Sequence, residues 1–151
     1  MSRIQIDATE RTAAGAATVY ALLRTGATWP DWSPIDSFEL EREGADEPEG
    51  VGAVRIFRNG RITGHDEITG LTENRSFRYA HRSTLPVRDY RGEIGLTPAG
   101  GGGTVIHWRV SFRPKIPGTG WLLRRGLTTF VGELTRGLAR HATAVGDPSV
   151  G

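Results

Sequence analysis

Residues 118–145 read GTGWLLRRGLTTFVGELTRGLARHATAV. Within them Leu123, Leu127, Phe130, Val131, Leu134, Leu138, Ala142 and Val145 recur at steps of three and four, save the adjacent Phe130 and Val131. That spacing draws one apolar stripe along a helix of about seven turns. Such a helix must bury its stripe against a second layer. Just upstream, beyond Pro117 and Pro114, Ile106, Trp108, Val110 and Phe112 alternate with His107, Arg109 and Ser111. This is the period of a strand with one buried face. The last strand and the last helix therefore share a core. Gly126, Gly132 and Gly137 each weaken the helix by about 1 kcal/mol relative to Ala. They are expected where it bends or where something approaches its backbone.

Working back from that pair, residues 35–113 carry strand signals throughout. Phe38 and Leu40 alternate with Glu39 and Glu41, and residues 44–50 form a polar loop. Segments 51–58 and 61–72 flank Asn59-Gly60, a strong hairpin signal. Segments 75–84, 87–97 and 104–113 follow turns at Glu73-Asn74, at Leu85-Pro86 and at the glycine run 100–103. The glycine run joins antiparallel strands and opens no helix, so it is not a dinucleotide-binding loop. At the start, residues 3–11 alternate as a strand, and residues 15–24 place Ala16, Val19, Tyr20 and Leu23 at helical spacing. Gly26 stops that helix. Trp29-Pro30-Asp31-Trp32-Ser33-Pro34 then allows one short helical turn, with its tryptophans clamping the segment onto the core.

The chain has 151 residues, enough for one domain with a sizeable core, here 1–145, with 146–151 as a flexible tail. No cysteine is present, which excludes disulfides, thiolate metal sites and cysteine nucleophiles. The 19 cations nearly balance 17 acids and are scattered from Arg3 to Arg140, so no nucleic-acid partner is expected. The four histidines show neither HxH nor HExxH spacing, so neither a metal nor any other cofactor is expected. No Gly-x-Ser-x-Gly elbow points to a serine hydrolase. No apolar run approaches the ~20 residues of a membrane span, so no stable membrane insertion is expected. Met1-Ser2-Arg3-Ile4-Gln5 carries no apolar signal core, which predicts a cytoplasmic protein. Trp121-Leu122-Leu123-Arg124-Arg125 reads as packing at the core or pocket lip, with contact to a membrane surface as the alternative.

Strand, helix, short helix, six strands and long helix is an α+β order. It predicts a curved antiparallel sheet of six or seven strands wrapped around the C-terminal helix, with two short helices after the first strand. This order resembles the START-like helix-grip superfamily, in particular its polyketide cyclase/dehydrase and lipid-transport group, known as SRPBCC. The local matches are Trp29-Pro30-Asp31-Trp32, Gly50-Val51-Gly52-Ala53-Val54-Arg55, Gly103-Thr104 and the closing helix from Trp121. The resemblance spans nearly the whole chain and implies a ligand cavity between sheet and helix.

Hairpin arithmetic identifies the inner face. A two-residue loop at Asn59-Gly60 sets Arg55 opposite Gly64, diagonal to Asp66. A two-residue loop at Glu73-Asn74 sets Asp66 opposite His81. A tight turn at Leu85-Pro86 sets His81 opposite Tyr90. Five loop residues at 99–103 set Ile94 opposite Trp108 and Tyr90 opposite Phe112. Residues directly opposite share a face. The inner face then carries Val51, Ala53, Arg55 and Phe57; Ile62, Gly64, Asp66 and Ile68; Phe77, Tyr79 and His81; and Tyr90, Gly92, Ile94 and Leu96. Arg55, Asp66, His81 and Tyr90 form a polar row on an apolar wall. A single bulge or slip would turn part of it over. If Arg55 and Asp66 are buried they must pair, because an isolated buried charge is very costly.

An apolar pocket with a few convergent polar groups suits a small hydrophobic or amphipathic ligand such as a lipid, a polyketide or an aromatic compound. The candidate ligand contacts are Arg55, Phe57, Asp66, Phe77, Tyr79, His81, Tyr90, Trp108, Phe112, Leu127, Phe130 and Leu134. The alternative is a cyclase or aromatase with His81 or Asp66 as general base and Arg55 or Tyr90 stabilising an enolate oxygen. A third reading is an interaction module whose cavity has collapsed.

Overall fold

The computed structural model describes residues 3–146. Strand β1 (Ile4–Thr12) leads into helix α1 (Ala16–Arg24), a single 3-10 turn (Gly26–Thr28) and the short helix α2 (Trp29–Trp32). Six further strands follow: β2 (Ser37–Arg42), β3 (Val54–Asn59), β4 (Ile62–Thr72), β5 (Ser76–Arg82), β6 (Val87–Pro98) and β7 (Thr104–Pro114). Helix α3 (Gly120–Gly146) closes the chain. All seven strands form one antiparallel sheet in the order β1-β7-β6-β5-β4-β3-β2. The expected helix-grip architecture is present. Gly146 is the last residue of α3, and the rest of the expected tail lies outside the described residues.

Helix α3 lies on β1 and β7 and against α1 and α2. Its stripe supplies Leu127, Val131, Leu134, Leu138 and Ala142 to the core. From the sheet come Phe77, Ile94, Ile106, Trp108, Val110 and Phe112, all fully buried. The α2 tryptophans do clamp their segment: Trp29 lies 4.6 Å from the Phe57 ring, 4.7 Å from Trp32 and 5.8 Å from Trp108. Gly137 is where a neighbour reaches the α3 backbone. A Cβ there would overlap the Trp32 carbonyl oxygen. No helix among the described residues is long and apolar enough to cross a membrane.

Register departs from expectation at four places. The β3–β4 hairpin turns on Gly60-Arg61, so Asn59 pairs Ile62 and Arg55 lies opposite Asp66 rather than Gly64. Gly60 takes the positive φ (59°) at the first loop position, which pushes Asn59 back into the strand. The shift is two residues on the partner strand, so faces are unchanged. The β4–β5 loop has three residues, with Thr72 opposite Ser76, and a bulge at Thr69 cancels the extra one. From Ile68 onward the expected pairing holds, including Asp66 opposite His81. In β6 a second bulge sets Asp89 and Tyr90 against Phe112 alone, with Asp89 at φ 51°. Finally, Val51 is not part of β3. It sits in the turn before the strand, half exposed.

Candidate functional site

Between the concave face of β3–β6 and helix α3 lies a cavity of about 290 Å³. Phe57 of β3, Gly64 and Asp66 of β4, Tyr79 and His81 of β5 and Tyr90 of β6 supply the sheet wall. Trp29 and Ile35 form one end, and Leu123, Leu127, Phe130 and Leu134 of α3 form the opposite wall. The exposed or half-exposed residues Asn59, Ile62, Leu85, Leu122 and Gly126 make the lip. Helix α3 presents this wall because its apolar residues recur at three and four. The strand residues do so because they alternate in step across four paired strands.

Asp66 and His81 are directly opposite on β4 and β5, and their side chains meet at 2.6 Å, Oδ1 to Nδ1. A carboxylate so placed accepts from an Nδ1–H, and Nε2 has no hydrogen-bond partner among the described residues. The imidazole lies over Gly64, where a Cβ would come within 2.6 Å of Cε1. Its other face meets the Tyr90 ring at 4.8 Å. Tyr79 lies over Gly92 in the same manner, and a Cβ on Gly92 would overlap the phenol ring. The Tyr79 hydroxyl accepts the Trp108 indole N–H at 3.1 Å. Burial pushes both phenols up from their ordinary values. The Asp66 carboxylate adds to the shift of each, and for Tyr90 so does Tyr79. Both phenols therefore hold their protons further into the alkaline range than an exposed tyrosine does.

Eight of the expected contacts line the cavity: Phe57, Asp66, Tyr79, His81, Tyr90, Leu127, Phe130 and Leu134. The other four, Arg55, Phe77, Trp108 and Phe112, pack behind its wall and are fully buried. The expected Arg55–Asp66 pair does not form. Asp66 is taken by His81, and Arg55 turns away to donate to the Leu23 carbonyl at 2.8 Å and to Glu49 at 3.3 Å. Its guanidinium lies about 5 Å from the Trp29, Phe57 and Phe77 rings, an arrangement that favours the cation. Burial pushes its pKa down, and the carboxylates of Glu49 and Asp66 act against that. Arg55 Nε is buried with no hydrogen-bond partner among the described residues. Glu49, which also accepts the Gly26 N–H at 2.8 Å, was not expected here. It comes from a polar loop with no periodicity to reveal it. Trp29, Ile35 and Leu85 were also missed as lining residues, because hairpin register says nothing about segments outside the sheet.

Comparison with known proteins places this geometry in a lineage. The sequence model of the polyketide cyclase / dehydrase and lipid transport family matches residues 3–146. The chain belongs to that family. No curated protein sequence matches it significantly. Among solved structures, a START superfamily protein from Mycobacterium smegmatis superposes with a TM-score of 0.80 at 14% identity, covering 93% of this chain and 98% of that one. The protein XoxI from Bacillus cereus gives 0.76 at 17% identity, covering 96% and 98%. A major latex-like protein of Panax ginseng gives 0.71 at 17% identity, covering 93% and 97%. At these identities the structural likeness establishes the fold. Among the described residues, no three or more His, Asp or Glu side chains are grouped to hold a metal ion.

Proposed function

We propose that this member of the family binds a small, mainly aromatic or apolar molecule carrying one hydrogen-bonding head, in the cavity between sheet and α3. The observation that carries the reading is the Asp66–His81 pair, 2.6 Å apart, set into an otherwise apolar wall. Tyr90 stands beside it. A cavity of about 290 Å³ has room for roughly ten water volumes. That is the low end for small-molecule pockets, and it favours a compact ring system over a long-chain lipid. The head group would donate to His81 Nε2 and accept from the Tyr90 hydroxyl. A carboxylate head is disfavoured, since the wall already carries the Asp66 carboxylate and the buried Arg55 is spent on Glu49 and the Leu23 carbonyl. Trp29 lines the cavity, so occupancy should quench fluorescence. In a titration with bicyclic aromatics, His81→Ala is expected to weaken hydroxylated members severalfold and leave unsubstituted ones unchanged. Leu127→Trp should block both. Binding that ignores both substitutions would refute the reading.

The same pair supports a second reading, a cyclase or dehydrase. A carboxylate-oriented imidazole is suited to remove a proton from carbon next to a carbonyl, with the Tyr90 hydroxyl donating to the enolate oxygen. This reading predicts deuterium exchange at that carbon of a bound ketone, followed by NMR, and loss of the exchange in His81→Gln. A wild-type protein that binds the ketone without exchanging it would leave the binding role alone.

A further inference from the structure

We propose that the lip of the cavity is a docking surface for an anionic lipid bilayer. Six large apolar side chains are notably exposed, and four of them, Ile62, Ile116, Trp121 and Leu122, lie at the mouth end of the molecule. Ile62 and Leu122 belong to the cavity lip itself. Ile116 and Trp121 are joined to it through a tight turn. Thr119 bonds back to the Ile116 carbonyl, the Leu122 N–H donates to the Thr119 carbonyl, and the Lys115 N–H donates to the Pro86 carbonyl beside Leu85. Trp121 is 68% exposed, whereas the other three tryptophans are buried.

The charge around these residues is mainly positive. Arg88, Arg113, Lys115, Arg124 and Arg125 are all exposed, and none forms an ion pair among the described residues. Arg88 and Arg113 are paired directly across β6 and β7 next to Pro114. No acid occurs between Glu93 and Glu133. The neighbouring carboxylates are occupied: Asp89 by Arg3 and Arg91, and Asp36 by the Gly60 N–H. Nucleic acid would offer phosphates to the cations but no hydrocarbon to Ile116 and Leu122. An anionic bilayer offers both, and an indole at the edge of such a patch suits the headgroup boundary. Because Leu122 belongs to patch and lip alike, docking sets the cavity mouth against the acyl layer.

The test is co-sedimentation with vesicles of phosphatidylcholine alone and of phosphatidylcholine mixed with phosphatidylglycerol, together with tryptophan emission. It needs no ligand in the cavity, so it is independent of the binding reading. The mixed vesicles should bind the protein, shift Trp121 emission to the blue and release it as salt is raised. Phosphatidylcholine alone should bind weakly. Arg124→Gln with Arg125→Gln should lower affinity by about tenfold or more. Arg136→Gln with Arg140→Gln removes the same charge from exposed positions further along α3 that form no ion pair among the described residues, and should change it little. Ile116→Ser with Trp121→Ser should abolish vesicle binding. The proposal is overturned by absence of binding to the mixed vesicles, by equal loss in the two arginine pairs, or by retention on a single-stranded oligonucleotide that the Ile116/Trp121 variant leaves intact.

Discussion

Tyr79 shows how much one side chain joins here. Its ring faces the cavity, its hydroxyl accepts the Trp108 indole proton, and it fills the space that Gly92 leaves. Trp108 is fully buried behind that wall. Trp108→Ala is expected to destabilise the fold by about 3–5 kcal/mol, readable in denaturant melts. A loss below about 1 kcal/mol would mean that the wall is not packed as described. The phenols of Tyr79 and Tyr90 add a pH dependence. Their folded pKa values are raised by burial, so the native state holds these protons more tightly than the unfolded chain. The stabilisation is complete below about pH 10, the unfolded value, and is lost as pH rises beyond it. Ultraviolet titration should therefore find at least two of the three tyrosines protonated at a pH where the urea-unfolded protein has ionised them. The Asp66–His81–Tyr90 row was legible from the sequence because the β3–β4 turn error was an even two residues and the one-residue error at the β4–β5 loop was cancelled by the bulge at Thr69. The partner of Arg55 was not. It depends on Glu49, a loop residue brought beneath α1 by contacts that no period encodes.

At the scale of elements, α3 is both a wall of the cavity and the lid of the core, and its glycines have opposite roles. Gly137 admits the Trp32 carbonyl, while at Gly126 a Cβ would meet nothing. Gly137→Ala is expected to lower stability by well over the ~1 kcal/mol that helix propensity would return, whereas Gly126→Ala should raise it by up to about 1 kcal/mol. Thermal melts of the two variants decide it, and two shifts of the same sign would contradict the packing of α2 on α3. Helix, strand order and inner face could all be read from periodicity. The bulges at Thr69 and Asp89 could not. The first was masked because the loop of residues 73–75 is one residue longer than expected, and the two offsets cancel by Ile68. Cancellation of this kind leaves the face of Asp66 intact while shifting Leu71 opposite Phe77, so no alternation pattern reveals it.

For the molecule as a whole, the cavity exists because α3 covers β1 and β7 and leaves the concave face of β3–β6 open beneath its first turns. The volume of that gap depends on how the Trp29–Trp32 clamp and the bulk of the side chains hold the helix off the sheet. A sequence pattern carries the apolar faces but not their separation, which is why the cavity's residues were more legible than its depth. That Arg55, Phe77, Trp108 and Phe112 lie behind the wall instead of on it follows from the same separation. In the proposed function a compact aromatic molecule occupies this gap with its head on His81. The most direct measurement is an NMR titration of the labelled protein with 2-naphthol and, in parallel, naphthalene. One saturable site is expected, its shifts mapping to Phe57, Tyr79, His81, Tyr90 and Leu127, with the hydroxylated ring binding about fivefold more tightly, the worth of one hydrogen bond. Shifts confined to the convex face of the sheet, or no saturable site for either compound, would contradict it.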